Sequence, residues 1–274
     1  MKLHSLFSFM VAGLTLTLIP ALAQVAGTTP LAPGNAAGVS MGHMHLTVRD
    51  LDASQKFFAL LGGKPVQNGP LQLIEFPGMY VMLRKGEPTG GTVGSVVNHF
   101  GFQVQNMQDW LPKWQAAGIK MEPMTRPTQV YLITPDDIRI EVMEEKDIKT
   151  PVAAEHIHFA GPVLEMQAWY IKTFGAVARK RGPFEAADIP GINLSFSAPD
   201  PKMTAAPVTT KGRSLDHIGF EVKNLPAFIA KLEASGIKMD RAYTKVAGSS
   251  ASIAFLTDPW GTYIELTEGI APPK

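Results

Sequence analysis

The sequence predicts an α+β fold built from four copies of one unit, paired into two tandem modules. Two observations predict it. Apart from His4, every histidine opens a short strand-like run: His43 and His45 in HMHLTV, His99 in HFGFQV, His156 and His158 in HIHFAG, His217 in HIGFEV. The segments that follow also repeat. HFGFQVQNMQDWLPKWQAAGIKM parallels HIGFEVKNLPAFIAKLEASGIKM, and HMHLTVRDLDASQKFFALLGG parallels HIHFAGPVLEMQAWYIKTFGA. Self-similarity of this kind marks an architecture of like units. Each unit reads strand, helix, then two or three strands.

Along the chain, Lys2 and His4 precede an apolar run from Leu6 to Ile19, and Pro20-Ala21-Leu22-Ala23 supplies an A-x-A cleavage signature. Residues 1–23 therefore read as a secretory signal peptide cut after Ala23, because the run is shorter than the ~20 residues of a spanning helix. The expected location is the periplasm or the medium. Residues 24–40, rich in Gly, Ala, Pro and Thr, read as a flexible lead-in. The modules are expected at 41–147 and 155–270, with a joint at Lys149-Thr150-Pro151. Connectors at 85–95 and 197–213 are expected to join the units within each module. Asn106 and Asn224 cap the second helix of each module, and Gly118 and Gly236 end it. Pro112 falls inside the first of these helices, which must start near Asp109 or bend.

Composition narrows the function. The net charge is +1 and no basic block stands out, which argues against nucleic acid and, after signal cleavage, membrane as partners. The expected partner is a small molecule, and the chain a monomer or homodimer. No cysteine is present, so disulfides, thiolate ligands and cysteine nucleophiles are excluded. The strands alternate with period two. Met44, Leu46 and Val48 oppose His43, His45 and Thr47; Ile140 and Val142 oppose Glu141; Ile264 and Leu266 oppose Glu265. Every histidine and both glutamates thus lie on the face opposite the core, either in solvent or lining a concavity. Phe57, Phe58, Trp110, Trp114, Trp169 and Tyr170 have helical spacing and are expected in the core.

Each module offers two strand-opening histidines and a glutamate on a later strand: His43, His99 and Glu141, then His156, His217 and Glu265. Two imidazoles and a carboxylate on one face suit a divalent Fe, Mn, Zn, Ni or Co ion and leave coordination positions open.

The chain resembles the vicinal oxygen chelate superfamily, which holds glyoxalase I, bleomycin- and fosfomycin-resistance proteins and extradiol dioxygenases. The resemblance rests on HMHLTVRDLDASQKFF, NHFGFQV, TPDDIRIEV, DHIGFEVKN and LTDPWGTYIEL, and spans nearly all of 41–270. It implies paired βαβββ units forming cupped mixed sheets, with metal ligands at His43, His99, Glu141, His156, His217 and Glu265. It also implies a substrate chelated through neighbouring oxygens, and lyase/isomerase or dioxygenase chemistry. The last strand of each module's first unit carries no carboxylate, a pattern nearer the dioxygenases. Tyr131, four residues before Pro135, matches the tyrosine of ring-cleaving members; the second module has Phe255 there. His45 and His158 share the ligand face as candidate proton carriers or supporting donors. The export signal argues against a dioxygenase, since Fe(II) oxidises readily outside the cytoplasm, and against a glyoxalase, since glutathione is scarce there. The rival reading is a non-catalytic small-molecule binder that uses the same concavity.

Overall fold

The computed structural model describes residues 31–273. The signal peptide and the first part of the lead-in lie outside the described residues. Unit 1 comprises β1 (Val39–Val48), α1 (Leu51–Leu60), β2 (Lys64–Asn68), β3 (Leu71–Phe76) and β4 (Met79–Lys85). Unit 2 comprises β5 (Val97–Val104), a 3-10 turn (Met107–Asp109), α2 (Leu111–Ala116), β6 (Lys120–Met121), β7 (Gln129–Ile133) and β8 (Arg139–Glu144). Unit 3 has β9 (Val152–Ala160), α3 (Val163–Phe174), β10 (Val177–Arg181), β11 (Phe184–Ile189) and β12 (Ile192–Ser197). Unit 4 has β13 (Leu215–Val222), α4 (Leu225–Ala234), β14 (Arg241–Lys245), β15 (Ser252–Thr257) and β16 (Tyr263–Glu268).

These strands form two mixed 8-stranded sheets, ordered β14-β15-β16-β13-β1-β4-β3-β2 and β10-β11-β12-β9-β5-β8-β7-β6. The first sheet joins units 1 and 4; the second joins units 2 and 3. This corrects the expected grouping: neither 41–147 nor 155–270 forms a sheet of its own. The Lys149–Pro151 joint lies between the two units of one sheet. The connectors cross between sheets, side by side, with Thr89 N donating to Gly212 O and Ser214 N to Gly90 O, each at 2.9 Å.

The pairing follows from side-chain volume at the central seam. In the first sheet His43 faces Gly219 and His45 faces His217; in the second Gly101 faces His156 and His99 faces His158. A Cβ on Gly219 would stand 2.1 Å from the His43 ring, and one on Gly101 2.2 Å from the His156 ring. An H-x-H strand therefore needs an H-x-G partner. Units 2 and 4 both supply one, and the chain pairs 1 with 4.

The period-two apolar stripes are buried as expected: Met44 and Leu46 are fully inaccessible, and so are Ile140, Ile264 and Leu266. They enter one continuous core that joins the sheets, with Phe76 of unit 1 against Phe102 of unit 2 (ring centroids 4.6 Å) and Phe174 of unit 3 against Phe220 of unit 4 (4.8 Å). Phe57, Phe58, Trp114 and Tyr170 are buried, while Trp110 and Trp169 are partly buried against the same core. Each fully buried aromatic contributes roughly 1.5–3 kcal/mol of transfer free energy.

Local signals account for the helices. Asp50 caps α1 and accepts from Ala53 N. Asn106 caps only the 3-10 turn, and α2 starts afresh at Leu111 with Pro112 in its first turn, where a missing N–H costs nothing. Gly118 and Gly236 follow α2 and α4 with φ of 68° and 87°, a left-handed geometry that suits glycine. The end of the lead-in is anchored rather than loose. Asn35 donates to the Phe174 and Gly175 carbonyls at 2.9 and 3.0 Å, and Val39 already belongs to β1. Among the described residues, no helix is long and apolar enough to cross a membrane.

Candidate metal centres

The crossed pairing regroups the predicted ligands. His43 and Glu265 meet His217 in the sheet of units 1 and 4, and His99 and Glu141 meet His156 in the sheet of units 2 and 3. The expected sets His43/His99/Glu141 and His156/His217/Glu265 are thus each split between two sites. All six ligand side chains are buried, so the polar face lines a concavity.

In the 1/4 site, His43 Nε2 and His217 Nε2 lie 2.9 and 2.8 Å from the same oxygen, Glu265 Oε2. In the 2/3 site, His99 Nε2 and His156 Nε2 lie 3.1 and 3.0 Å from Glu141 Oε2. Donors held ~2.1 Å from a first-row ion at right angles stand ~3.0 Å apart, so this spacing suits neighbouring vertices of a coordination shell. The His156 Nε2 contact lacks hydrogen-bond alignment, leaving a buried nitrogen without a partner. An unpaired buried polar atom is costly unless something binds it. The residues present therefore fit a divalent cation at both places; His45 lies near enough to join His43, His217 and Glu265, and His158 lies near His99 and His156.

The other ring nitrogens show how the sheet aims these donors. Each central strand carries a bulge directly before its ligand histidine. The pairings run Met41↔Phe220 then His43↔Gly219, and His45↔His217 then Leu46↔Leu215, so Gly42 and Asp216 are the extra residues. Asn98 and Glu155 are the extra residues in the second sheet. A bulge breaks the alternation and brings the preceding side chain beside the ring. Asp216 Oδ1 is 2.7 Å from His217 Nδ1, Asn98 Oδ1 is 2.8 Å from His99 Nδ1, and Glu155 closely contacts His156 Nδ1. Such contacts fix the tautomer and turn Nε2 toward a metal. Gly42 has no side chain to offer, and His43 Nδ1 is unpartnered. Sequence reasoning missed these orienting residues, although the dipeptides Asn98-His99, Glu155-His156 and Asp216-His217 carried the signal.

Electrostatics agree with ligand roles. Burial holds His43 below its ordinary pKa and His99 down at about 4, despite their glutamates. Burial also opposes charge on His156 and His217, but two adjoining acids apiece outweigh it and raise both. Burial works against ionised Glu141 and Glu265 as well, yet their histidine pairs hold both carboxyls far below the usual range.

The two sites differ at their mouths. The 1/4 site opens into a cavity of about 540 Å³ lined by His45, His217, Glu265 and apolar groups that include Leu71, Met82 and Phe255. His45 is partly buried with both ring nitrogens unpartnered, and burial together with His217 and His43 keeps it well below its ordinary pKa. The sheet's edge turns meet across this cup. Asn68 donates to Ser250 Oγ and to the Gly269 and Ile270 carbonyls at 3.0 Å, and a Cβ on Gly69 would collide with Gly248 O.

The 2/3 site is filled at corresponding positions. Arg181 stands where unit 1 has Asn68; its guanidinium lies 2.6 Å from Glu155 and 3.3 Å from His156 Nδ1. Phe184 replaces Leu71 and packs edge-on against His158 at 4.8 Å. Gln129 replaces Ile253 and donates in a tight contact to Glu141 Oε1. His158 is hydrogen-bonded to Ser197 at 2.9 Å, and burial pushes its pKa down to about 3. Tyr131 sits in this filled site, 5.4 Å from the His99 ring and beneath the Arg139 guanidinium at 3.5 Å. Burial and Glu141 push its phenol up to about 12. The open site has Phe255 in its place, 5.2 Å from His217.

Paired βαβββ units, cupped sheets and histidines opening the central strands define the class. The chain belongs to the Glyoxalase/Bleomycin resistance protein/Dioxygenase superfamily, whose model matches residues 97–266. Among solved structures it is similar to glyoxalase I from Zea mays (16% identity, 84% of this chain and 92% of that one covered, TM-score 0.63). It is also similar to a protein of Bacillus subtilis subsp. subtilis str. 168 assigned as a dioxygenase (13% identity, 88% and 87% covered, TM-score 0.62). At these identities the likeness establishes the fold alone. No curated protein matches the sequence.

Proposed function

We propose that this protein is an exported, metal-dependent enzyme that works at the 1/4 site on a small substrate bound through two neighbouring oxygens. The observation that carries this reading is the convergence of His43, His217 and Glu265 on the floor of a cup that opens into a cavity of about 540 Å³. A divalent Fe, Mn, Zn, Ni or Co ion held there would supply Lewis acidity, stabilising negative charge that develops on the substrate's oxygens. The chain's own groups do the rest. Asp216 orients His217. The apolar wall excludes water. His45, with unpartnered ring nitrogens at the cavity edge, accepts and returns a substrate proton.

The placement of Tyr131 favours lyase or isomerase chemistry over ring cleavage. The phenol expected of a ring-cleaving site lies in the filled cup, and the working cup has Phe255. The 2/3 site holds a second ion without admitting substrate, so His158 and Tyr131 carry no catalytic role. A non-catalytic binder is the weaker reading, because an apolar pocket that only captures ligands gains nothing from unpaired buried imidazoles.

Metal titration of untagged protein by equilibrium dialysis, for each of these ions, tests the proposal. One equivalent should be lost in His217→Ala and one in His99→Ala. Absence of stoichiometric binding for every ion overturns the enzyme reading. Amino-terminal sequencing of the exported protein should begin at Gln24.

A further inference from the structure

We propose that the substrate of the 1/4 site is an anion: an apolar body with its chelating oxygens at one end and a carboxylate or similar negative group at the other. This rests on the reading of that site as a metal-dependent pocket and names what enters it.

The argument starts from strand register. On β1, His43, His45 and Thr47 share the concave face, and on β4 their neighbours are Tyr80, Met82 and Arg84. Two residues of strand advance the chain by ~6.6 Å. Arg84 therefore sits two such steps outward from the level of His43, at the cavity rim, with the apolar Met82 between. Its guanidinium is hydrogen-bonded to Thr47 Oγ1 at 2.9 Å, which aims it along the mouth. From the opposite wall, β14 contributes Arg241 and Lys245 to the same lining. The cavity is thus graded, with metal donors on the floor, apolar walls through its depth, and cations from both sides at the rim.

These cations are only partly engaged within the protein: Arg84 forms a long ion pair with Asp216 at 3.9 Å. Asp216 already accepts from Gly212 N through Oδ2 and holds His217 through Oδ1. Among the described residues, Arg241 and Lys245 form no ion pair; Arg241 lies 5.9 Å from the Phe255 ring centroid. The filled site is an internal control. Ser197 holds the place of Arg84, and Pro123 that of Arg241 in the repeated GIKM segment. Two arginines near that site are bound to carboxylates, Arg181 to Glu155 at 2.6 Å and Arg139 to Glu122 at 2.7 Å. A rim with an excess of positive charge over low-dielectric walls concentrates ligands of the other sign.

The test uses three hydroxamates with one chelating head and different tails: 4-carboxybenzohydroxamate, benzohydroxamate and 4-(aminomethyl)benzohydroxamate. Their affinities for the Mn(II)-loaded full chain are measured by calorimetry at low and moderate salt. The anionic probe should bind roughly five- to tenfold more tightly than the neutral one, and the cationic probe most weakly. Added salt should shrink the spread. Arg84→Gln and Arg241→Gln should each weaken the anionic probe by roughly two- to fivefold and leave benzohydroxamate unchanged. Equal affinity across the three tails, or equal losses for both probes in the arginine variants, overturns the anionic assignment while leaving the metal-dependent pocket standing. Failure of every probe to bind the metal-loaded chain overturns both.

Discussion

The 1/4 and 2/3 cups use the same strands, bulges and donor triad, and they differ in what stands over the triad. One has Asn68, Leu71 and Ile253; the other has Arg181, Phe184 and Gln129. In the first, Asn68 reaches across the cup to the opposite edge turn and leaves the interior free. In the second, Arg181 reaches inward and binds Glu155 beside the metal-facing histidine. Glu155 itself exists only there, since the matching bulge residue of unit 1 is Gly42. Ligand geometry and ligand access are therefore separate properties of this fold. The strands and bulges build the first, and a few edge-hairpin residues decide the second.

The largest effect expected from this comparison is on turnover. Removing a triad donor from the open cup, as in His217→Ala, forfeits several kcal/mol of transition-state stabilisation, on the order of a thousandfold in rate. His99→Ala, in the closed cup, should leave turnover within about twofold of the parent chain. Steady-state kinetics on the anionic substrate class checks both. Comparable losses in the two variants would break the distinction between the cups.

A smaller effect is expected from the orienting residues. Asp216→Asn gives His217 the amide partner that His99 already has in Asn98. Metal affinity at the open cup should fall by roughly 10–100-fold while the closed cup is unaffected, read by competition with a chromophoric chelator. Arg181→Asn with Phe184→Leu copies the open mouth onto the closed cup. The relaxation rate of solvent water protons around bound Mn(II) should rise in that variant, because solvent then reaches the second ion. The smallest change is in stability. Asn68→Ala removes the clasp between the edge turns and strands buried carbonyls, costing about 1–3 kcal/mol in urea unfolding.

Much of this was legible before the structure. The period-two alternation placed His43, His45, Glu141 and Glu265 opposite the apolar stripe, and that stripe is buried in the core. The repeat revealed four units. The partners of the units were not legible, because units 2 and 4 carry the same H-x-G strand and either can accept the H-x-H strand of unit 1. The bulges were not legible either. Strict alternation puts Asp216, Asn98 and Glu155 on the far face, and only the extra residue in each central strand returns them to the imidazoles. Tyr131 was legible as a tyrosine near a metal site. That its cup is filled depends on Arg181 and Gln129, which lie far from it in sequence.

The central claim is that the chain builds two metal centres and gives ligand access to one. Its most direct test is the ratio of bound Mn(II) to bound benzohydroxamate in the full chain. The account predicts two equivalents of Mn(II) and one of hydroxamate, with the hydroxamate lost in His217→Ala and kept in His99→Ala. Two equivalents of hydroxamate, or binding that survives His217→Ala, would contradict it.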